Sequence, residues 1–171
     1  MTLQPPQSQF AEGKEQSSTG SFSIRRSQFL DAFAQVEATI SRIIASNDPQ
    51  FDPRVPFGNK LKALGQLKAN HRLSKKAIDR FATVPADIAT LTRIRNDLGH
   101  GIMTIVHRSD EATAAFHNAA DYAVAFPQYT LLSVDDFDSG RRKLLQMATE
   151  LQKIINPPSP PQPSLAATAG P

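Results

Sequence analysis

The sequence predicts an all-α fold, a bundle of about five helices with an irregular insertion before the last helix. Three observations carry this expectation. Apolar residues recur at three- and four-residue spacings through most of the middle of the chain. Ser, Pro and Gly stand where those runs begin and end. With 171 residues, 40% of them apolar, the chain can build one core, and two full domains are not expected.

Residues 1–21 are rich in Gln, Ser, Pro and Gly, and residues 157–171 carry six prolines and no charge. Neither stretch has enough apolar surface to offset the entropy of ordering it, so both predict disordered tails around a helical domain over 22–156. The C-terminal stretch can sample polyproline II. Phe29, Phe33, Val36, Ile40, Ile43 and Ile44 form one stripe over about five turns, which predicts the first helix. Asn47-Asp48-Pro49 ends it, because proline disfavours helical geometry in the residue before it. Residues 50–58 read as a connector, and Leu61, Leu64 and Leu67 mark a second helix. Ser74 suits the cap of a short third helix bearing Ile78 and Phe81. Pro85 fits the first turn of a fourth, where its missing N–H costs nothing. Ile88, Leu91, Ile94 and Leu98 give that helix its buried face, and Gly99 and Gly101 are natural breakers. In the insertion over 102–132, IMTIV and YAVAF look strand-like and EATAAFHNAA looks helical. Ser133 with Asp136 resembles a capping box opening a last helix with Phe137, Leu144, Ala148, Leu151 and Ile155 as its stripe.

Several function classes are excluded or disfavoured. Cysteine is absent, which removes disulfides, thiolate nucleophiles and zinc–cysteine sites. His107 and His117 have no partner at metal spacing, and there is no Gly-rich phosphate loop, so no metal or other cofactor is expected. The N-terminus lacks the basic and apolar regions of a secretory signal, and no run approaches the roughly 18 apolar residues of a membrane span. These point to a cytoplasmic protein without a membrane partner.

Net charge is only +3, but it is unevenly spread. Lys60, Lys62, Lys68, Arg72, Lys75, Lys76 and Arg80 fall within 22 residues and are opposed by Asp79 alone. Such a cluster can attract a phosphate backbone, and Lys60, Lys68, Arg72, Lys75 and Lys76 are the candidate RNA contacts. The plain alternative is a solvated helix face. Tyr122, Phe126 and Tyr129 can stack on bases, although packing within the insertion explains them more simply.

The chemistry concentrates in Arg95-Asn96-Asp97-Leu98-Gly99-His100-Gly101, at the end of the fourth helical run. Arg95 is a permanent cation whose planar fork matches two phosphate oxygens. His100 falls where the helix leaves its last carbonyls open, and that end of the macrodipole attracts an imidazolium. Such a group can give a proton to a leaving 5′ oxygen. Asn96, four residues before His100, can orient the imidazole or hold a ribose or phosphate oxygen. RNA supplies its own nucleophile in the 2′-hydroxyl. Arg95 and His100 stand about 140° apart round an ideal helix, so they converge if the helix loosens at Gly99 or if a second protomer completes the site. The alternative is an Arg95 paired with Asp97 or Asp87 on the surface and a His100 capping its own helix. Asp97 itself reads as an exposed aspartate beside an arginine.

The Arg-Asn-x-x-x-His pattern resembles the signature of the HEPN domain, a small helical-bundle family that includes many RNA-cleaving toxins. The resemblance is close over the motif and loose over residues 25–156. It implies a HEPN-like bundle acting as a homodimer whose motifs share a cleft, and metal-independent endoribonuclease chemistry that leaves a 2′,3′-cyclic phosphate. It also implies a toxin, antiphage or stress-response setting, with an antitoxin or nucleotidyltransferase partner. Arg95 and His100 would then be catalytic, with Asn96 supporting them. One toxin branch has a tyrosine two residues past the histidine, where this chain has Ile102. The alternative within the same resemblance is a catalytically silent RNA-binding or protein-interaction module.

Overall fold

A first helix, α1 (Gln9–Asn47), is followed by α2 (Phe57–Gln66), α3 (Lys75–His100), strands β1 (Gly101–Arg108), β2 (Glu111–Asn118) and β3 (Thr130–Leu132), and a last helix α4 (Val134–Ile155). The structure is a computed structural model that describes residues 9–70, 73–108, 111–118 and 129–155. The described chain is mostly helical, with four helices and a small three-stranded sheet in place of five helices and an irregular insertion. Among the described residues no helix is long and apolar enough to cross a membrane.

The stripe expected on α1 is the core, with Phe29, Phe33, Val36, Ile40, Ile43 and Ile44 all fully buried. The helix starts earlier than composition suggests, so residues 9–21 belong to it. Once a helix is nucleated each further residue adds a bond at small cost, and Ala11, Glu12, Lys14, Glu15 and Gln16 are good helix formers. Residues 1–8 and 156–171 lie outside the described residues. At the other end Asn47 donates its side-chain amide to the Ile43 carbonyl at 2.8 Å, just before the Asp48-Pro49 stop.

In α3 the third and fourth expected helices are one. Ser74 caps it by accepting the Ala77 N–H at 3.2 Å, and Pro85 lies in its interior. A proline there removes a backbone bond at a cost of about 3 kcal/mol. Ala77, Phe81, Val84, Ile88 and Leu91 are nonetheless buried at alternating spacings of four and three, so a single stripe passes through Pro85 without changing phase. Breaking the helix would lift half of that stripe from the core. Arg80 also spans the proline, bonding Thr83 before it at 2.6 Å and pairing with Asp87 after it, while reaching Glu150 of α4 at 3.2 Å.

Helices α1 and α4 and strand β2 meet around Phe137. Its ring packs on Phe22 at 6.0 Å, edge-on to Phe29 at 6.5 Å and on Phe116 of β2 at 6.1 Å. Further along, Gln35, Thr39 and Arg42 of α1 share a groove with Gln152, so α1 and α4 run side by side in the same direction. The Arg80–Glu150 pair sets α3 antiparallel to both. The capping box opens α4 as expected. The Ser133 N–H and hydroxyl donate to Asp136 at 2.9 and 2.7 Å, and the Asp136 N–H donates back at 3.2 Å.

The insertion is an antiparallel sheet of order β1-β2-β3. The strand expected at IMTIV is present, but EATAAFHN is a strand where Ala-rich composition suggested a helix. Pairing overrides propensity here. Met103 faces Phe116 and Ile105 faces Ala114, which in turn faces Leu132, and this period-two set closes one side of the core. Ile102, Val106 and Leu131 alternate with that set and are exposed. YAVAF lies outside the described residues.

Candidate functional site

The helix does not loosen at Gly99. It stays regular through His100 and ends at Gly101, whose backbone is extended and whose N–H bonds the Asp97 carbonyl. A Cβ at Gly101 would collide with that same carbonyl oxygen, so the turn from helix into strand needs glycine there. Gly99 has the opposite role. Nothing lies within 4 Å of where its Cβ would be. Round the helix it falls between Arg95, about 40° away, and His100, about 100° away. A bare position between two long side chains leaves a notch.

That notch is one wall of a cleft of about 330 Å³ lined by Arg95, Gly99 and His100 from α3 and by Leu30, Phe33, Ala34 and Glu37 from α1. Arg95 and His100 therefore line one cleft without any break in the helix. Arg95 is half-buried, and its guanidinium lies 5.8 Å from the Phe33 ring centroid and donates to the Asn96 side-chain oxygen at 3.2 Å. The contact with a ring face orients the arginine while leaving N–H groups for a ligand. His100 is exposed. Asn96 is exposed outside the cleft and reaches the site through Arg95.

Asp97 departs from the expected exposed partner of Arg95. It is half-buried and accepts the Thr130 hydroxyl at 2.5 Å, which ties the end of α3 to β3. Asp87 is likewise taken by Arg80. The bonds to Asp87 and Glu150 hold the Arg80 guanidinium above its ordinary range against the opposing effect of partial burial.

The basic segment divides. Lys60 is only 6% exposed and binds Glu37 at 2.6 Å, so it is a core-edge ion pair and not a surface phosphate contact. The helix period explains this, since Lys60 shares a buried face with Leu64, four residues on. Lys68, Lys75 and Lys76 are exposed, with Lys75 also bridging to Asp79 at 2.9 Å. Arg72 lies outside the described residues, as do Tyr122 and Phe126. Tyr129 is 54% exposed, and its ring packs against that of His117 of β2 at 5.4 Å, a contact within the insertion.

Glu37 is the residue that sequence reasoning missed. Leu30, Phe33, Ala34 and Glu37 follow the i, i+3, i+4, i+7 pattern of one helix face, a signal present in the sequence. Nothing in the spacing links that face to a motif 58 residues later. Comparison with protein-family models, curated proteins and solved structures finds no match to this chain.

Proposed function

We propose that this chain is a metal-independent endoribonuclease of HEPN type. The observation that carries the reading is that Arg95 and His100 line a single cleft with a bare glycine between them. In that arrangement RNA brings the nucleophile, Arg95 neutralises charge on the pentacoordinate phosphorus, and His100 transfers protons. Asn96 steadies Arg95. A homodimer, a toxin or antiphage setting in the cytoplasm, and an antitoxin or nucleotidyltransferase partner belong to the same reading, on the strength of the motif. Arg95→Ala and His100→Ala are expected to lower cleavage of RNA by ~10²–10⁴-fold with helical content and melting unchanged. Normal cleavage by both variants would remove the assignment.

The exposed Lys68, Lys75 and Lys76 favour a second reading, an RNA-binding module without turnover. Binding would then fall steeply with salt, neutralising Lys75 and Lys76 would flatten that slope, and no product would form.

A further inference from the structure

We infer that Glu37 is the general base of this cleft, taking the 2′-hydroxyl proton of RNA while His100 protonates the leaving 5′ oxygen. This rests on the ribonuclease reading and divides between two residues the work that the motif alone assigns to one histidine. Cleavage through the 2′-hydroxyl needs a proton removed at one oxygen and a proton supplied at another, and a single imidazole cannot be in both states at once. Among the described residues lining the cleft, Glu37 alone carries a carboxylate. It stands on α1, facing the wall of α3 that bears Arg95 and His100.

Lys60 makes that carboxylate a fixed object. Its ammonium comes from α2, is nearly all buried and binds Oε1 at 2.6 Å. A carboxylate has two oxygens and about four lone-pair sites, so one bond to Lys60 anchors Glu37 without exhausting it. The Glu37 side chain keeps 26% of its surface open, which is access enough for a ligand in the cleft. A group held on rigid helices by a buried partner has the positional precision that proton transfer requires.

The step balances with no further reactant. Glu37 takes the proton from O2′, O2′ forms its bond to phosphorus, the P–O5′ bond breaks, and O5′ leaves with a proton from the His100 imidazolium. Arg95 holds the two non-bridging oxygens. Solvent returns the proton from Glu37 to His100, and the products are a 2′,3′-cyclic phosphate and a 5′-hydroxyl. Base, acid and cation all belong to one chain.

The roles separate on a substrate whose leaving group needs no proton, uridine 3′-(p-nitrophenyl phosphate), assayed beside RNA with the full chain. On RNA, Glu37→Gln and His100→Ala should each lose ~10²–10⁴-fold. On the activated ester His100→Ala should return to near the wild-type rate, and Glu37→Gln should not. The double variant Glu37→Gln/Lys60→Met, which leaves no unpaired buried cation, should melt like wild type and stay as slow as Glu37→Gln. Glu37→Gln or the double variant working at the wild-type rate on both substrates would overturn the base and leave the ribonuclease reading standing. Recovery of Glu37→Gln instead of His100→Ala would show the roles reversed and also overturn it. A wild type that cleaves neither substrate would remove the ribonuclease reading and the base with it.

Discussion

Gly99 and Gly140 are both helical glycines, and the space round them is opposite. A Cβ on Gly99 meets nothing within 4 Å, whereas one on Gly140 would lie 2.6 Å from the edge of the fully buried Phe29 ring. Alanine in a helix is better than glycine by roughly 0.5–1 kcal/mol, and overpacking a core costs about 1–3 kcal/mol. Gly99→Ala should therefore raise stability while lowering RNA cleavage, because its methyl group enters the notch between Arg95 and His100. Gly140→Ala should lower stability by about 1 kcal/mol, and urea melts of the two variants check the signs. An unstable Gly99→Ala would show that the notch is occupied. At this scale the sequence was partly legible. The Arg95–His100 pairing could be read from a motif, but Glu37 and Lys60 could not be read as partners, since a charge run does not say which of its members turns inward.

The helices were the most legible elements, because burial repeats with the helix period and Ser74 and Ser133 announce their caps. Pro85 and β2 were misread for one reason, that local preference yielded to tertiary burial. The stripe through Phe81, Val84 and Ile88 holds α3 together across its proline, and the alternation of Ala114 and Phe116 makes a strand of an Ala-rich segment. The cap of α4 has a pH signature. Bonds from the Ser133 hydroxyl, and then its backbone N–H, hold the Asp136 carboxyl below the ordinary carboxylate range. A depressed acid contributes stability in full above its unfolded value, near pH 4, and loses it as pH falls through the lower folded value. Wild type should therefore exceed Asp136→Asn in melting temperature at neutral pH, and the gap should close below about pH 4. Ser133→Ala should cost roughly 0.5–2 kcal/mol. A gap independent of pH would mean that the ionised carboxylate contributes nothing to the cap.

Across the whole molecule, each layer fixes one wall of the cleft. α1 supplies Phe33 and Glu37, α2 anchors Glu37 through Lys60, and α3 presents Arg95 and His100. The bond from Thr130 to Asp97 and the tight approach at Gly101 join the end of α3 to the sheet, which gives the small sheet a structural purpose beside the site. If base and acid act within one chain, mixing Glu37→Gln with His100→Ala should restore no cleavage even where the two exchange subunits. Regained activity would place base and acid on different chains.

On the proposed reading, the cleft of Arg95 and His100 cuts RNA through its own 2′-hydroxyl. The most direct measurement is incubation of labelled tRNA and mixed-sequence RNA with the purified protein in EDTA, beside His100→Ala, followed by analysis of product ends. Wild type should give 2′,3′-cyclic phosphate and 5′-hydroxyl ends, and the variant should leave the RNA intact. RNA left intact by the wild type, or cut equally by His100→Ala, would contradict that reading.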